Sequence, residues 1–438
     1  MLQSHVSDWR EVEAKKGIAV KILQVLNEQR YRGGDHAVVD ATMRVLAQYG
    51  HEPRLMMKSS KVLGNSIIRR MNAFWGGVYN IYAYHEMRRL IEKDRPDVVH
   101  VHSVYPMFSP SVLVACRRAG VPVVMTVHSH GLTCPTWNHV YKGRVCEDCV
   151  GGHEYRCVLK NCRNNIFESS AYALRTSVAR RFRLFHDSVS MLIVMTPFAK
   201  GRLLQAGFRE NQIALVPNPA SIEGTAVRPS AGRYVAFVGR VSQEKGVDTL
   251  LAAAAQLPGV PFKVAGDGPL LSEMKARSPR NVEFLGRLGS DELDEFYGRS
   301  RLVVVPSVCF EQFPLAILEA MARGLPVIAS RIGGLPEIVD ECVTGSLFEP
   351  GNSVALMQEV SRLWGDPQLC NQMGRAGRQK ATREYTEDVY FRNLMSVYQK
   401  AIQRSSSSVS IAPLVHISNA MLPPNEPSNN HYVNTTSD

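Results

Sequence analysis

The chain has 438 residues, of which 45% are hydrophobic and 21% charged, with 51 lysines and arginines against 40 acidic residues and a formal net charge of +11. Such a length exceeds one ordinary core and suits two domains of roughly 200 residues, and the composition excludes a disordered or fibrous chain. No run approaches the ~18 consecutive apolar residues of a membrane span, and the charge favours an anionic partner, whether phosphate, nucleic acid or an acidic membrane surface.

His5, Asp8, Arg10 and Glu11 stand where a signal peptide would need an apolar region, so a cytoplasmic chain is expected. The first strand is predicted at Val20–Leu26, broken at Gly33-Gly34. A helix follows through Val38, Val39, Met43, Leu46 and Ala47 to Gly50. Strands are expected at Val98–Val101 and Val121–Val127 with a helix near Val112–Ala119 between them, and Met191–Thr196 closes the set. Alternating apolar strand-like and amphipathic helix-like runs imply parallel sheets of βαβ units.

Within that half, five of the nine cysteines (Cys134, Cys146, Cys149, Cys157 and Cys162) crowd into one segment. A reducing compartment argues against a disulfide framework, while the C-x₂-C spacing of Cys146 and Cys149 suits a structural, tetrahedral zinc site. The next segment mixes Arg163, Arg175, Arg180, Arg181 and Arg183 with Leu174, Val178, Phe182 and Phe185. It reads either as a face for an anionic membrane or as an ordinary solvated helix.

Pro217-Asn218-Pro219 and the polar stretch to Arg233 mark the boundary, giving domains at 1–220 and 221–384. The rhythm then repeats at Tyr234–Val238, Phe262–Ala265, Val282–Phe284, Leu302–Val305 and Val327–Ala329. The expected fold class is therefore α/β with two Rossmann-like domains. A helix at 385–403, with Tyr390, Leu394, Val397 and Ile402 on one side, is expected to return to the first domain, and 404–438 to be disordered.

Function is written most densely in Pro306–Ile338. Glu311 falls in a loop, Pro314 at a helix start, Glu319 in the second turn, and Gly324-Leu325-Pro326 stops the helix. A helix N-terminus after a parallel strand offers backbone N–H groups and partial positive charge to a diphosphate, here around Phe313, Pro314 and Leu315. Two helical carboxylates eight residues apart would lie ~12 Å apart along the axis, against ~5–9.5 Å in glycoside hydrolases. Upstream, Gly239-Arg240 ends a strand and Lys245-Gly246 follows, two cations suited to the charge that grows on a departing diphosphate, a task Mg²⁺ performs elsewhere. Gly266-Asp267-Gly268-Pro269 is a turn signature beside them. None of these fits the dinucleotide fingerprint or the phosphate loop of ATPases.

Together FVGRVSQEKGVDTLL, VAGDGPL, FLGRL, VVPSVCFEQFPLAILEAMARGLPVIASRIGGLPEIV and TGSLFEPGN resemble glycosyltransferase family 4, of the GT-B fold, from about Lys21 to Ala401. The resemblance implies a retaining sugar transfer from a nucleotide diphosphate donor, UDP- or GDP-linked, with two domains facing across a cleft. It places Arg240 and Lys245 on the diphosphate, Glu311 near the sugar hydroxyls and Glu319 on the ribose. Gly239 and Gly266 line the donor, Gly33 and Gly34 close over its phosphates, and Gly333 and Gly334 match the family's glycine pair. His128 best matches the family's acceptor-side histidine, with His100 and His102 as alternatives. Asp35-His36 departs from the Ala-Glu pair common in relatives. The cysteine segment resembles an insert found in part of the family, whose matching positions are Cys134, Cys146, Cys149 and Cys162. The acceptor expected is a glycan or lipid-linked precursor of a cell-surface polysaccharide or glycolipid, and no catalytic cofactor is expected. Two other readings stand beside this one: a nucleotide-sugar epimerase of related architecture, and a zinc-bearing nucleic-acid-binding protein.

Overall fold

The computed structural model describes residues 19–28, 33–59, 76–222 and 226–407. The expected leaderless N-terminus and most of the expected disordered tail, 408–438, lie outside the described residues. These fall into two compact units. One holds the residues up to Met125, Leu184–Met191 and those from Val397; the other holds Thr126–Arg183 and Leu192–Ser396.

In the first unit β1 (Lys21–Glu28) lies parallel between β2 (Glu52–Ser59) and β3 (Val98–Val101), and β3 pairs in parallel with β4 (Val123–Thr126). β1, β3 and β4 are almost wholly buried, as predominantly apolar strands covered on both faces should be. β2 was not legible as a strand, because Arg54 and Lys58 interrupt its apolar residues. The C-terminal helix, Glu387–Ser407, runs past the expected end and finishes against this unit. Tyr398, fully buried, meets His100 Nδ1 at 2.8 Å, and Ser405 donates to the Gly120 carbonyl at 2.8 Å.

The second unit contains a small antiparallel ribbon, β5 (Val140–Tyr141) and β6 (Arg144–Val145), and a parallel pair, β7 (Met191–Val194) and β8 (Ile213–Leu215). Its large sheet comprises β9 (Tyr234–Val238), β10 (Phe262–Ala265), β11 (Val282–Gly286), β12 (Ser300–Val305), β13 (Val327–Ser330) and β14 (Gly345–Phe348). These lie in the order β11-β10-β9-β12-β13-β14, all parallel. Side chains alternate between two cores. Val235, Phe237, Leu302 and Val304 meet the helix Val247–Ala255 on one face. Ala236, Val303, Val305 and Ala329 meet the helix Leu315–Ala322 on the other. The chain leaves β9 in one direction and returns to β12 in the other. The crevice beyond the carboxyl ends of β9 and β12 is therefore the topological switch point, where open α/β sheets take their ligands.

Candidate active site

At that switch point the loop after β9 meets the loop after β12. The first forms a turn, Gln243–Lys245, before the helix Val247–Ala255, and Gly246 between them has a left-handed φ of 69°. A Cβ on Gly246 would fall 1.8 Å from the Pro306 carbonyl oxygen, so glycine alone lets the loops close to this separation. The result is an ion pair: Lys245 Nζ donates to Glu311 Oε1 at 2.6 Å, and Ser307 Oγ donates to the same oxygen at 2.6 Å.

Burial works against both charges, yet each stabilises the other. The Glu311 carboxyl, which burial would raise, is held below its usual range by the Lys245 ammonium and the Ser307 hydroxyl. Lys245, which burial would lower, is held above its usual range by Glu311. An ammonium has three donors and Glu311 takes one, leaving two for phosphate oxygens. Both bonds to the carboxylate fall on Oε1, and Oε2 takes no donor among the described residues. Arg240, just past β9, is exposed and pairs with no acid among the described residues.

Neighbouring loops hold Glu311 in place. Gly334 donates its N–H to the Glu311 carbonyl at 3.0 Å. A Cβ on Gly333, whose φ is 59°, would fall 2.8 Å from the Glu311 nitrogen. Gly266 brings the loop after β10 equally close, its own Cβ position lying 1.8 Å from the Gly239 carbonyl oxygen. The Phe313 side chain is core, set edge-on to Tyr385 at 5.4 Å; the expected diphosphate cradle calls on its backbone N–H and not on its ring. The helix begins at Leu315, half-buried, with Pro314 as its cap rather than its first residue. Glu319 sits in its second turn, one carboxylate oxygen fixed 2.7 Å from the hydroxyl of the buried Tyr297.

His128 is half-buried two residues past β4. The alternatives His100, in β3, and His102, just past it, are sealed in the first unit's core, His102 Nε2 lying 2.8 Å from Gln24 Oε1. The sequence reading passed over His130. Its Nε2 donates to the Phe310 carbonyl at 3.2 Å and its Nδ1 lies 3.4 Å from the Gln312 amide, bracketing Glu311 from both chain directions. Burial, with His139 adding to it, drives the His130 pKa down to about 3, so the ring is a neutral linker near pH 7. His139 stands edge-on 5.2 Å away, lowered to about 4 by burial, and its Nδ1 meets the Cys146 carbonyl at 3.0 Å. A second histidine spaced two from His128 was the available signal, though such spacing is common in ordinary strands.

The cysteine segment thus adjoins the Glu311 loop. Its thiols are near neighbours: burial first, then Cys134, Cys162 and Cys146, raises Cys149 to about 12. Soft thiols at this spacing suit zinc, but among the described residues no three donors already converge in a metal-holding arrangement. Gly33 and Gly34, at the start of the helix Gly34–Gln48, belong to the other unit.

Comparison with known proteins matches two family models along the chain. The family model Glycosyltransferase Family 4 matches residues 17–223, and the model Glycosyl transferases group 1 matches residues 224–380. Sulfoquinovosyl transferase SQD2 of Arabidopsis thaliana is 26% identical over 67% of this chain and 54% of its own length. A glycogen synthase of Mycobacterium tuberculosis is 29% identical over 66% of each chain. The chain thus spans about half to two thirds of these relatives. Among solved structures, sucrose-phosphate synthase from Thermosynechococcus elongatus superposes with a TM-score of 0.66 at 19% identity, over 89% of this chain and all of the other. Anabaena HepE in complex with UDP and glucose gives 0.59 at 18% identity, over 89% and 100%. These likenesses establish two Rossmann-like domains of the GT-B type. The comparisons lend no support to the epimerase or nucleic-acid readings.

Proposed function

We propose that the chain is a two-domain glycosyltransferase that transfers a hexose from a nucleotide diphosphate sugar, with retention and without a catalytic metal. The observation that carries this reading is the Lys245–Glu311 pair, 2.6 Å across the switch point between β9 and β12. Lys245 and Arg240 hold the diphosphate and neutralise the charge that accumulates as the bond from sugar C1 to phosphate breaks. Glu311 Oε2 accepts from a sugar hydroxyl, Glu319 from the ribose, and the first N–H groups of the helix at Leu315 point to the distal phosphate. The acceptor hydroxyl forms its bond to C1 on the face the phosphate leaves, and its proton passes to that departing phosphate oxygen. His128 serves the acceptor side.

The acceptor we propose is a glycan or lipid-linked precursor of a surface polysaccharide or glycolipid, met at the inner face of a membrane. Among the described residues no helix is long and apolar enough to cross one. UDP-, GDP- and ADP-hexoses offered to the purified enzyme, with the anomeric configuration of product read by NMR, test donor and stereochemistry together. Inverted product, or no turnover of any donor, refutes the reading.

Cys134, Cys146, Cys149 and Cys162 we assign to a structural zinc, since four thiolates leave no open position for catalysis. One equivalent of zinc by mass spectrometry of chelator-free protein is expected; none counts against the assignment.

A further inference from the structure

The helix Ile166–Arg181 has its polarity reversed. The face it buries is small and polar: Ser169, Ala173, Arg175 and Ala179. Arg175 is held there by aromatic and backbone partners, its guanidinium 3.8 Å from the Tyr172 ring, 4.7 Å from Trp137, and bonded to the Pro135 carbonyl at 3.3 Å. The opposite face carries Phe167, Ala171, Leu174 and Val178, continued by Phe182 just past the helix. This spacing of four and three residues stacks one stripe along the axis. Phe167 is 81% exposed and Phe182 67%, which no soluble helix requires of its largest side chains.

Charge singles out the same stretch. Residues 155–183 hold seven arginines and lysines against one acidic residue, Glu168, an excess of six within the whole chain's +11. Arg181 and Arg183 are exposed at the C-terminal end of the stripe, and Arg163 is exposed before its start. An apolar stripe flanked by cations is the pattern of a helix lying in a membrane interface, apolar side chains among the acyl chains and guanidiniums on anionic headgroups. A second copy of the chain is a poorer occupant, because pairing two such faces would set their arginines against each other.

We propose that this face, Phe167, Leu174, Val178 and Phe182 with Arg181 and Arg183, docks the enzyme on an anionic lipid bilayer. The proposal deepens the membrane-side acceptor reading but does not depend on the identity of donor or acceptor. It also gives the inserted segment a role. The segment meets the helix where Arg175 stacks on Trp137 and, through His139, reaches His130, which contacts the Phe310 carbonyl and the Gln312 side chain on either side of Glu311.

The test is co-sedimentation of the full chain with vesicles of phosphatidylcholine alone and of phosphatidylcholine and phosphatidylglycerol in equal parts. The triple variant F167S/L174S/F182S and the charge variant R181Q/R183Q run alongside. The wild type is expected to bind the mixed vesicles at least about tenfold more tightly than the neutral ones, with binding weakened by salt, and each variant to lose about tenfold or more. The altered side chains are exposed, so thermal unfolding and nucleoside diphosphate binding should match the wild type, separating loss of docking from loss of fold or of the transferase site. Wild-type failure to bind the mixed vesicles, or equal binding by the triple variant, overturns the proposal. So does a concentration-dependent dimer that the triple variant abolishes while vesicle binding persists.

Discussion

The carboxyl ends of the two parallel sheets carry opposite chemistry on the same kind of scaffold. Beyond β1 and β3 the loops are tied by neutral groups: Asn27 donates its N–H to Ser103 Oγ at 3.0 Å and its Oδ1 accepts from Met107 at 2.9 Å. The nearby histidines are consumed by Gln24 and Tyr398. Beyond β9 and β12 stand an ammonium, a carboxylate and an exposed guanidinium, with glycines where the backbones close in. Topology creates a crevice at both places. The side chains decide which one suits an anion, and among the described residues the second brings together an ammonium and an exposed guanidinium.

That contrast can be broken experimentally. Lys245→Ala should have the largest effect, a loss of about 10²–10³ in kcat, because a preorganised charge is removed from the leaving group; near-normal turnover would show that the pair is merely structural. Next comes Gly246→Ala, where a left-handed φ and a Cβ driven onto the Pro306 carbonyl should cost about 2 kcal/mol or more and force apart the loops that pair Lys245 with Glu311. Denaturant midpoints measured with and without nucleoside diphosphate would register both consequences. A gain in stability would contradict the close-approach account.

The histidine linker predicts an acid-side signature. His130 and His139, lowered to about 3 and about 4 in the folded chain, take up protons more readily once unfolded. Their contribution is complete above about pH 6.5 and is lost as the pH falls toward those values, by up to about 1.4 kcal/mol per pH unit for each ring. Tm followed from neutral pH downward should fall, and His130→Asn, which keeps a donor for Phe310, should flatten the slope. An unchanged slope would mean the ring is not held neutral. The smallest effect is expected on the neutral side of the comparison. Asn27→Ala should cost about 1–3 kcal/mol of stability for its lost buried bonds while leaving nucleoside diphosphate affinity within about twofold.

The strands that form the switch point were legible because β9, β10, β12 and β13 are predominantly apolar and bounded by glycine or proline turns. Glu311, Glu319, Arg240 and Lys245 were legible through motif order. β2 was not, since alternating charges suit an edge strand as well as a loop. Nor were β14, only four residues long, and the helices Ser353–Gly365 and Pro367–Glu384, the second of them mostly polar. His130 escaped because its partners, Phe310 and Gln312, lie some 180 residues away, a proximity that folding alone creates. The reversed helix could be read only once exposure was known, because period alone does not tell the inside of an amphipathic helix from the outside.

The central claim is that Lys245 at the second switch point binds the diphosphate. It is tested most directly by calorimetric titration of wild-type and Lys245→Ala protein with UDP, GDP and ADP and with the matching free nucleosides. The account predicts that the diphosphate bound by the wild type loses at least about tenfold in affinity in the variant while its nucleoside binds unchanged. Equal loss for both, or none for the diphosphate, would contradict it.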